Sequence, residues 1–169
     1  MTQYLRILDT TLRDGDQAAG FAFSPEQKVR LAALIDSCGA DCIEAGFPCS
    51  SRAEYSVCRD IVQKDLHADI SVMSRCLNDD IVRSAEVFSE INNPRRAVMH
   101  LTLPVSDIQM RVKLHKTGEE ILHLLDESVR FAGKLVGKIE TGFEDAARAD
   151  RRFLEACCRT AVAAGAFAV

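Results

Sequence analysis

The sequence has no tryptophan and only two tyrosines, and no apolar run reaches the roughly 20 residues that a membrane-spanning helix needs. A formal net charge of −4 excludes the strongly basic surface that nucleic acids or anionic membranes bind, so neither is expected as a partner. The first residues lack the basic and apolar segments of a secretory signal, and we expect a cytoplasmic protein. The 169 residues, 47% of them apolar, suffice for a substantial core, and we expect residues 1–169 to form a single domain.

The sequence contains seven cysteines, but no two of them have the two-residue spacing that is typical of a zinc knuckle. Their number is odd, and most lie in apolar patterns where a thiol behaves as a small hydrophobic side chain. We therefore expect reduced, structural cysteines. Cys49 is the exception, because it follows Gly46, Phe47 and Pro48 in an expected loop.

Short apolar segments alternate with amphipathic segments along the chain. Helix 24–38 is expected to begin with a capping box of Ser24 and Gln27, and its expected apolar face includes Leu34. Residues 167–169 are expected to begin a sixth strand. The expected strands are residues 5–8, 42–45, 70–73, 97–103 and 138–140, and the expected helices are 24–38, 51–63, 78–88, 117–136 and 150–164.

Strict alternation of apolar strands and helices predicts parallel βα units, with the functional residues at the carboxyl ends of the strands. Five units and the start of a sixth fit two architectures. One is the first part of a (β/α)₈ barrel, which needs about 200 residues or more, and the other is an open doubly wound sheet, which the chain length favours. In both, the outer strands have free edges, so we expect self-association or a partner chain.

Polar side chains are concentrated after the first expected strand, in residues 9–17. Carboxylate oxygens suit Mg, Mn or Zn, so Asp14 is the candidate metal ligand, although an acidic turn residue can also cap a local amide. The guanidinium of Arg13 suits a substrate carboxylate, although an ion pair with Asp9 or Asp16 is the structural alternative. The cluster predicts a metal and an anionic substrate side by side.

Further candidates lie at or after the later strands. Glu44 ends the second strand among apolar neighbours and needs a partner, for which Arg13 is the obvious choice; a structural ion pair and a catalytic role are both open. Arg75, after the third strand, has the same two interpretations. His100, within the fourth, is either a hydrogen-bonded core residue or an acid–base group. Two polar turns complete the set, with Ser106, Asp107 and Gln109 after strand four, and Glu144 and Asp145 after strand five.

Residues 8–17, LDTTLRDGDQ, closely resemble the first signature of the 2-isopropylmalate synthase and homocitrate synthase family. Members of this family are metal-dependent enzymes that condense an acyl-CoA with a 2-oxoacid on a TIM barrel. Gly142 departs from the pattern, because many members have a serine there. The similarity continues in chain order through residues 43–48, His100, and residues 106–108, 113–114 and 144–148.

The resemblance implies roles for individual residues. Asp14 would ligate a divalent metal ion (Mg, Mn or Zn), and Arg13 would bind the carboxylate and keto group of the 2-oxoacid. Gln17 and Glu44 would support the pocket. The candidate substrate-binding residues are thus Arg13, Gln17, Glu44, Arg75, His100 and Ser106, and the candidate catalytic residues are Arg13, His100 and Glu144.

The implied reaction is a Claisen condensation of acetyl-CoA with a 2-oxoacid, as in leucine biosynthesis. A base removes a methyl proton, the metal polarises the ketone, the enolate adds to it, and thioester hydrolysis drives the step. Residues 44–48 favour an isopropylmalate synthase, which uses 2-oxoisovalerate, whereas residues 17–20 and 104–109 favour a homocitrate synthase, which uses 2-oxoglutarate.

The resemblance also implies a partial (β/α)₈ TIM barrel of about five units plus the start of a sixth strand. The paired metal-binding histidines of the family would follow Val169, so we expect this chain alone to be nearly inactive. It would act as a homo-oligomer or with a complementing C-terminal chain. The alternative is a non-catalytic or half-site subunit that completes a barrel with such a chain.

Overall fold

The computed structural model describes residues 5–169, in which five parallel strands alternate with five α-helices. The strands lie in the sheet in chain order, and the sheet curls into a half-barrel, which confirms the expected partial barrel over an open doubly wound sheet. Within residues 5–169 no helix combines the length and apolarity needed to cross a membrane. The strands are β1 (Leu8–Asp9), β2 (Cys42–Glu44), β3 (Asp69–Arg75), β4 (Ala97–Pro104) and β5 (Lys138–Glu144).

All five expected helices are present, with shifted ends. The capping box that opens the first is confirmed: Gln27 N–H donates to Ser24 Oγ over 3.3 Å, and Gln27 Oε1 accepts from Ser24 N–H over 2.7 Å. Gly165, at φ +114°, ends the last helix in the left-handed conformation that glycine adopts easily. The helices are α1 (Pro25–Ser37), α2 (Arg52–Val62), α3 (Asn78–Glu86), α4 (Gly118–Ala132) and α5 (Arg151–Ala164).

Several sequence-based boundaries are wrong. The first strand is Leu8–Asp9 rather than residues 5–8, although Ile7 O still accepts from Cys42 N–H over 3.1 Å. Arg75 and Glu144 are the last residues of β3 and β5 and not part of the following loops. The reason is the length of β4, in which Thr102 pairs with Arg75 on one side and Pro104 pairs with Glu144 on the other.

The segment after β4 also differs from the expected polar turn. Gln109–Leu114 forms a π-helical turn that ends at His115 in a left-handed conformation, φ +51°. Such turns are short interruptions that local sequence periodicity does not indicate. By contrast, the expected start of a sixth strand is confirmed, because residues 167–168 form hydrogen bonds with β5. Phe167 N–H donates to Ile139 O over 2.9 Å, and Thr141 N–H donates to Ala168 O over 3.1 Å.

The core lies between the outer face of the sheet and the helices. Leu34 was expected in it and is 58% exposed, because α1 packs on β2 and α2 through the side that carries Lys28 and Ala32. Successive side chains of a strand point to opposite faces of the sheet. Because Ile43 packs under the helices, Glu44 lies on the inner face of the sheet. Fully buried core side chains include Ile43, Ile61, Ile70, Ile81, Met99, Leu101, Ile121 and Leu125.

Candidate functional site

A fully buried carboxylate, Glu44, joins two of the residues that the sequence singled out. Its Oε2 accepts a hydrogen bond from Arg13 Nε over 2.8 Å, and its Oε1 lies 2.7 Å from His100 Nδ1. Arg13 and His100 keep 18% and 14% of their side chains exposed, respectively. Both oxygens of Glu44 are thus occupied by groups that still reach the surface of the inner face.

Local structure brings the three side chains together. Arg13 lies in a tight turn after β1, in which the N–H groups of Arg13, Asp14 and Gly15 all donate to Thr10 O. Glu44 is the last residue of β2, and His100 lies within β4, so β3 separates the two in the sheet.

The partners of Glu44 determine its charge. Burial alone raises the pKa of this carboxyl, but the hydrogen bond from His100 and the charge of Arg13 outweigh it, so the pKa lies below its usual value of 4.5. An ionised carboxylate only accepts hydrogen bonds, and the network therefore assigns a proton to His100 Nδ1. In the neutral imidazole Nε2 is then the acceptor, and within residues 5–169 it forms no hydrogen bond.

Arg13 also keeps donors available. Its Nε donates to Glu44, and its Nη1 donates to Asp14 Oδ1 over 3.0 Å. In the described part of the chain Nη2 makes no hydrogen bond, so it and the second Nη1 hydrogen offer the parallel donors that suit a carboxylate. Among residues 5–169, Arg13 pairs with Asp14 and Glu44 and not with Asp9 or Asp16, the alternatives that the sequence left open.

The metal ion implied by the resemblance has one candidate ligand here. The Asp14 side chain is 68% exposed and pairs with Arg13. Among residues 5–169, no three His, Cys, Asp or Glu side chains meet in a group that could hold a metal ion. One carboxylate does not provide the coordination that Mg²⁺ or Zn²⁺ requires, so these residues do not fit the ion by themselves.

Four other predicted site residues lie apart from Glu44, with no hydrogen bond to it in residues 5–169. Gln17 is exposed in a short 3₁₀ turn. Arg75 pairs with Asp80 and lies 5.8 Å from the centre of the Phe47 ring.

The other two, Ser106 and Glu144, lie just after β4 and at the end of β5, respectively. Glu144 is exposed and lies 3.1 Å from Lys113 Nζ. Ser106 is buried beside Asp145; the guanidinium of Arg148, and to a smaller extent the Ser106 hydroxyl, hold the pKa of Asp145 below its usual value. The two residues therefore belong to a polar cluster beside the centre formed by Glu44.

Sequence reasoning missed a buried ion cluster next to this centre. Lys28, on α1, is only 3% exposed, and its Nζ lies 2.9 Å from Asp16 Oδ2 and 2.9 Å from both oxygens of Glu54. The burial of Lys28 could have been predicted from the helical spacing, because Lys28 precedes the buried Ala32 by one helical turn and so lies on the buried side of α1.

All seven cysteines lie within the described residues and are free thiols. Cys49, which the sequence singled out, is half-buried with its Sγ 3.5 Å from Asp80 O, and burial raises the pKa of its thiol. Its hydrogen-bond partners in the described part of the chain are Asp80 and Ser84, not the residues around Glu44.

A partial βα-barrel with polar residues on its inner face defines the class of fold, and comparison with known proteins defines the family. The HMGL-like family matches residues 4–169, and the chain belongs to this family. A protein named 2-isopropylmalate synthase from Xanthomonas oryzae pv. oryzae is 37% identical over 165 residues, which cover 98% of this chain and 31% of the relative. A Caulobacter vibrioides protein of the same name is 35% identical over 160 residues, 95% of this chain and 30% of that relative.

Solved structures confirm the fold. Hydroxymethylglutaryl-CoA lyase from Pseudomonas aeruginosa superposes with a TM-score of 0.73 at 15% identity, over 96% of this chain and 55% of that protein. An HMG-CoA lyase from Acinetobacter baumannii in complex with coenzyme A and 3-methylmalate superposes with a TM-score of 0.70 at 17% identity, over 98% of this chain and 56% of that protein. The chain spans about a third of the length of the curated relatives it matches.

Proposed function

We propose that this chain forms the 2-oxoacid-binding part of a barrel acyltransferase of the 2-isopropylmalate synthase type, which condenses acetyl-CoA with a 2-oxoacid. The names of the relatives that match nearly the whole chain support this proposal. The observation that carries it is the arrangement of Arg13 and His100 around the buried carboxylate of Glu44.

Glu44 orients the two residues in this proposal and does not itself contact the substrate. Arg13 keeps the donors of Nη2 and of one Nη1 hydrogen for the substrate carboxylate, which they bind as a fork. His100 presents Nε2 as an acceptor to the hydroxyl that replaces the keto group, while Nδ1 stays on Glu44. Both groups are positioned before the substrate arrives, which lowers the entropic cost of binding.

The remaining predicted residues keep proposed roles. Gln17 and Arg75 would support the pocket, Ser106 would lie near the substrate side chain, and Glu144 would line the pocket, with a part in catalysis once it releases Lys113. Asp14 would contribute one ligand to a divalent metal ion whose other ligands a complementing part of the barrel would have to supply, and such an ion would act as a Lewis acid. The identity of the 2-oxoacid and the cytoplasmic location stay predictions.

The alternative is a half-site subunit that binds a 2-oxoacid but performs no chemistry unless a second chain completes the barrel. The exposed apolar side chains around Leu34, 58% exposed, favour this candidate, since they form a surface that another chain can cover.

One experiment tests both candidates. Purified chain is incubated with acetyl-CoA, Mg²⁺ or Mn²⁺ and either 2-oxoisovalerate or 2-oxoglutarate, and free CoA is measured by chromatography. We expect no release from the chain alone and turnover after addition of the C-terminal part of the Xanthomonas oryzae relative. Robust release by the chain alone would refute the half-site alternative.

Two variants show whether any turnover uses the proposed site. Asp14→Asn removes the anionic oxygen pair and should abolish release, whereas Asp65→Asn, at an exposed position, should not change it. If the chain binds neither 2-oxoacid and no complementing part restores turnover, although the proteins are folded, the proposed function is wrong.

A further inference from the structure

Gly142 lies on β5 in contact with the imidazole of His100. In the register of the two strands, Gly142 is opposite Thr102, two residues beyond His100. A Cβ atom added to Gly142 would lie 2.2 Å from Nε2, 3.1 Å from Cε1 and 3.4 Å from Cδ2 of His100. All three nearest atoms therefore belong to one side chain, and the first distance is far inside van der Waals contact.

The backbone does not explain the glycine. Gly142 is not among the glycines with positive φ, and it lies within a strand, where other residues are favoured over glycine. A glycine within a strand commonly marks a close approach of another group, and here that group is the ring of His100.

We propose that Gly142 is a positioning residue: its missing side chain provides the space that the His100 imidazole occupies. This placement keeps Nδ1 on the Glu44 carboxylate and leaves Nε2 as the ring atom that a ligand meets. In this chain a methyl group at position 142 would force the ring away from β5, although many members of the family have a serine there. His100 would then lose the 2.7 Å contact with Glu44, and the buried carboxylate would keep only Arg13 as a partner.

A double-mutant cycle tests the contact. Gly142→Ala is made in the natural background and in the His100→Asn background, in which the shorter side chain has no atom at the place of Nε2. Urea denaturation then gives the folding equilibrium constant of each variant. We expect Gly142→Ala to lower this constant about tenfold or more with His100 present, the range for overpacking, and to leave it nearly unchanged in the His100→Asn background.

Gly137→Ala is the matched control. Gly137 precedes β5, its φ is not positive, and an added Cβ would meet nothing within 4 Å. This substitution should cost little in either background. Equal costs of Gly142→Ala in the two backgrounds would overturn the proposal. If Gly142→Ala does not fold at all, a folded double variant supports the proposal, and an equally unfolded one overturns it.

A spectroscopic measurement separates positioning from general packing. The ¹⁵N chemical shifts of the ring, assigned by the signal that His100→Asn removes, should report a proton on Nδ1, the nitrogen that faces Glu44. Gly142→Ala should shift the populations toward a mixture of tautomers, and Gly137→Ala should not. An unchanged tautomer in a folded Gly142→Ala protein would overturn the proposal.

The role of Gly142 in substrate binding rests on the proposed function, and calorimetry with 2-oxoisovalerate and 2-oxoglutarate separates the two. If the natural chain binds neither ligand and no complementing part restores turnover, but the cycle shows coupling, the proposed function fails and the positioning role stands. If the natural chain binds a 2-oxoacid and Gly142→Ala binds it equally well, the positioning role fails and the proposed function stands.

Discussion

Lys28 and Glu54 form a buried ion pair in which the ammonium nitrogen lies 2.9 Å from both carboxylate oxygens. Lys28 also pairs with Asp16, so its ammonium group connects the loop after β1 with Glu54 on α2. Glu54 in turn accepts a hydrogen bond from Phe47 N–H over 3.4 Å. The cluster therefore connects the loop that carries Arg13 with the segment that follows Glu44.

The first prediction concerns this cluster. Lys28→Met should destabilise the chain by about 3–5 kcal/mol, since it leaves two carboxylates near each other without a cation. Burial alone lowers the pKa of Lys28, but its two carboxylate partners raise it above the usual value, which indicates net stabilisation of the charged form. Urea denaturation measures the loss. Lys134→Met, at an exposed position, is the control, and an equal effect of both substitutions would contradict the prediction.

The second prediction concerns Arg13. Arg13→Lys keeps the charge but loses the planar fork, so it should weaken 2-oxoacid binding by about 1.5–3 kcal/mol, the worth of a hydrogen bond to a charged group. Isothermal titration calorimetry with 2-oxoisovalerate and 2-oxoglutarate measures the change. Arg30→Lys, on the exposed side of α1, should bind as the natural chain does. Unchanged affinity of Arg13→Lys would make Arg13 a purely structural partner of Glu44.

The third prediction concerns pH. The pKa of Glu44 is lower in the folded chain than its ordinary value of 4.5, so its ion pairs stabilise the fold above that value. This contribution is lost as the pH falls through the lowered pKa. Glu44→Gln should therefore reduce stability at neutral pH and flatten the decline in stability on the acid side. Urea midpoints between about pH 3 and 7 measure the profile, with Glu119→Gln as the exposed control. A decline as steep as that of the natural chain would contradict the prediction.

The fourth prediction concerns self-association of the 169-residue chain. Phe21 is 61% exposed and Leu34 58%, and Leu34 lines a groove of about 500 Å³ together with Phe23 and Leu31. We expect two copies to cover this surface, which an apolar patch near an open sheet edge favours. Light scattering should show a dimer or larger species that Leu34→Glu shifts toward monomer. Val82→Glu, on α3, should not shift it, and a natural chain that stays monomeric at high concentration would refute the prediction.

The βα units were predictable because apolar strands and capped helices leave periodic patterns in the sequence. Ser24 and Gln27 indicated the start of α1 to within one residue. The end of β5 was not predictable, because it depends on partners that β4 supplies through Pro104. Leu34 was assigned to the core because an amphipathic pattern identifies an apolar face without showing which neighbour covers it.

The candidate site was predicted in part. Arg13 was the natural partner for a carboxylate at the end of β2, and the two do form an ion pair. The contact of His100 with Glu44 could not be predicted, since β3 separates their strands and only the curl of the sheet brings the two side chains together. The crowding at Gly142 was hidden for the same reason: a glycine in the sequence does not show which ring lies against it.

The order of the strands has a consequence for synthesis on the ribosome. Each strand after β1 pairs in parallel with the strand just before it in the chain, so its partner has already emerged when it appears. The sheet can therefore grow one βα unit at a time during translation, without a strand waiting for a later one. Glu44 gains its second partner only when β4 docks and delivers His100. With this order of assembly, Arg13 would be the only one of the two partners available to the Glu44 carboxylate until the fourth unit is complete.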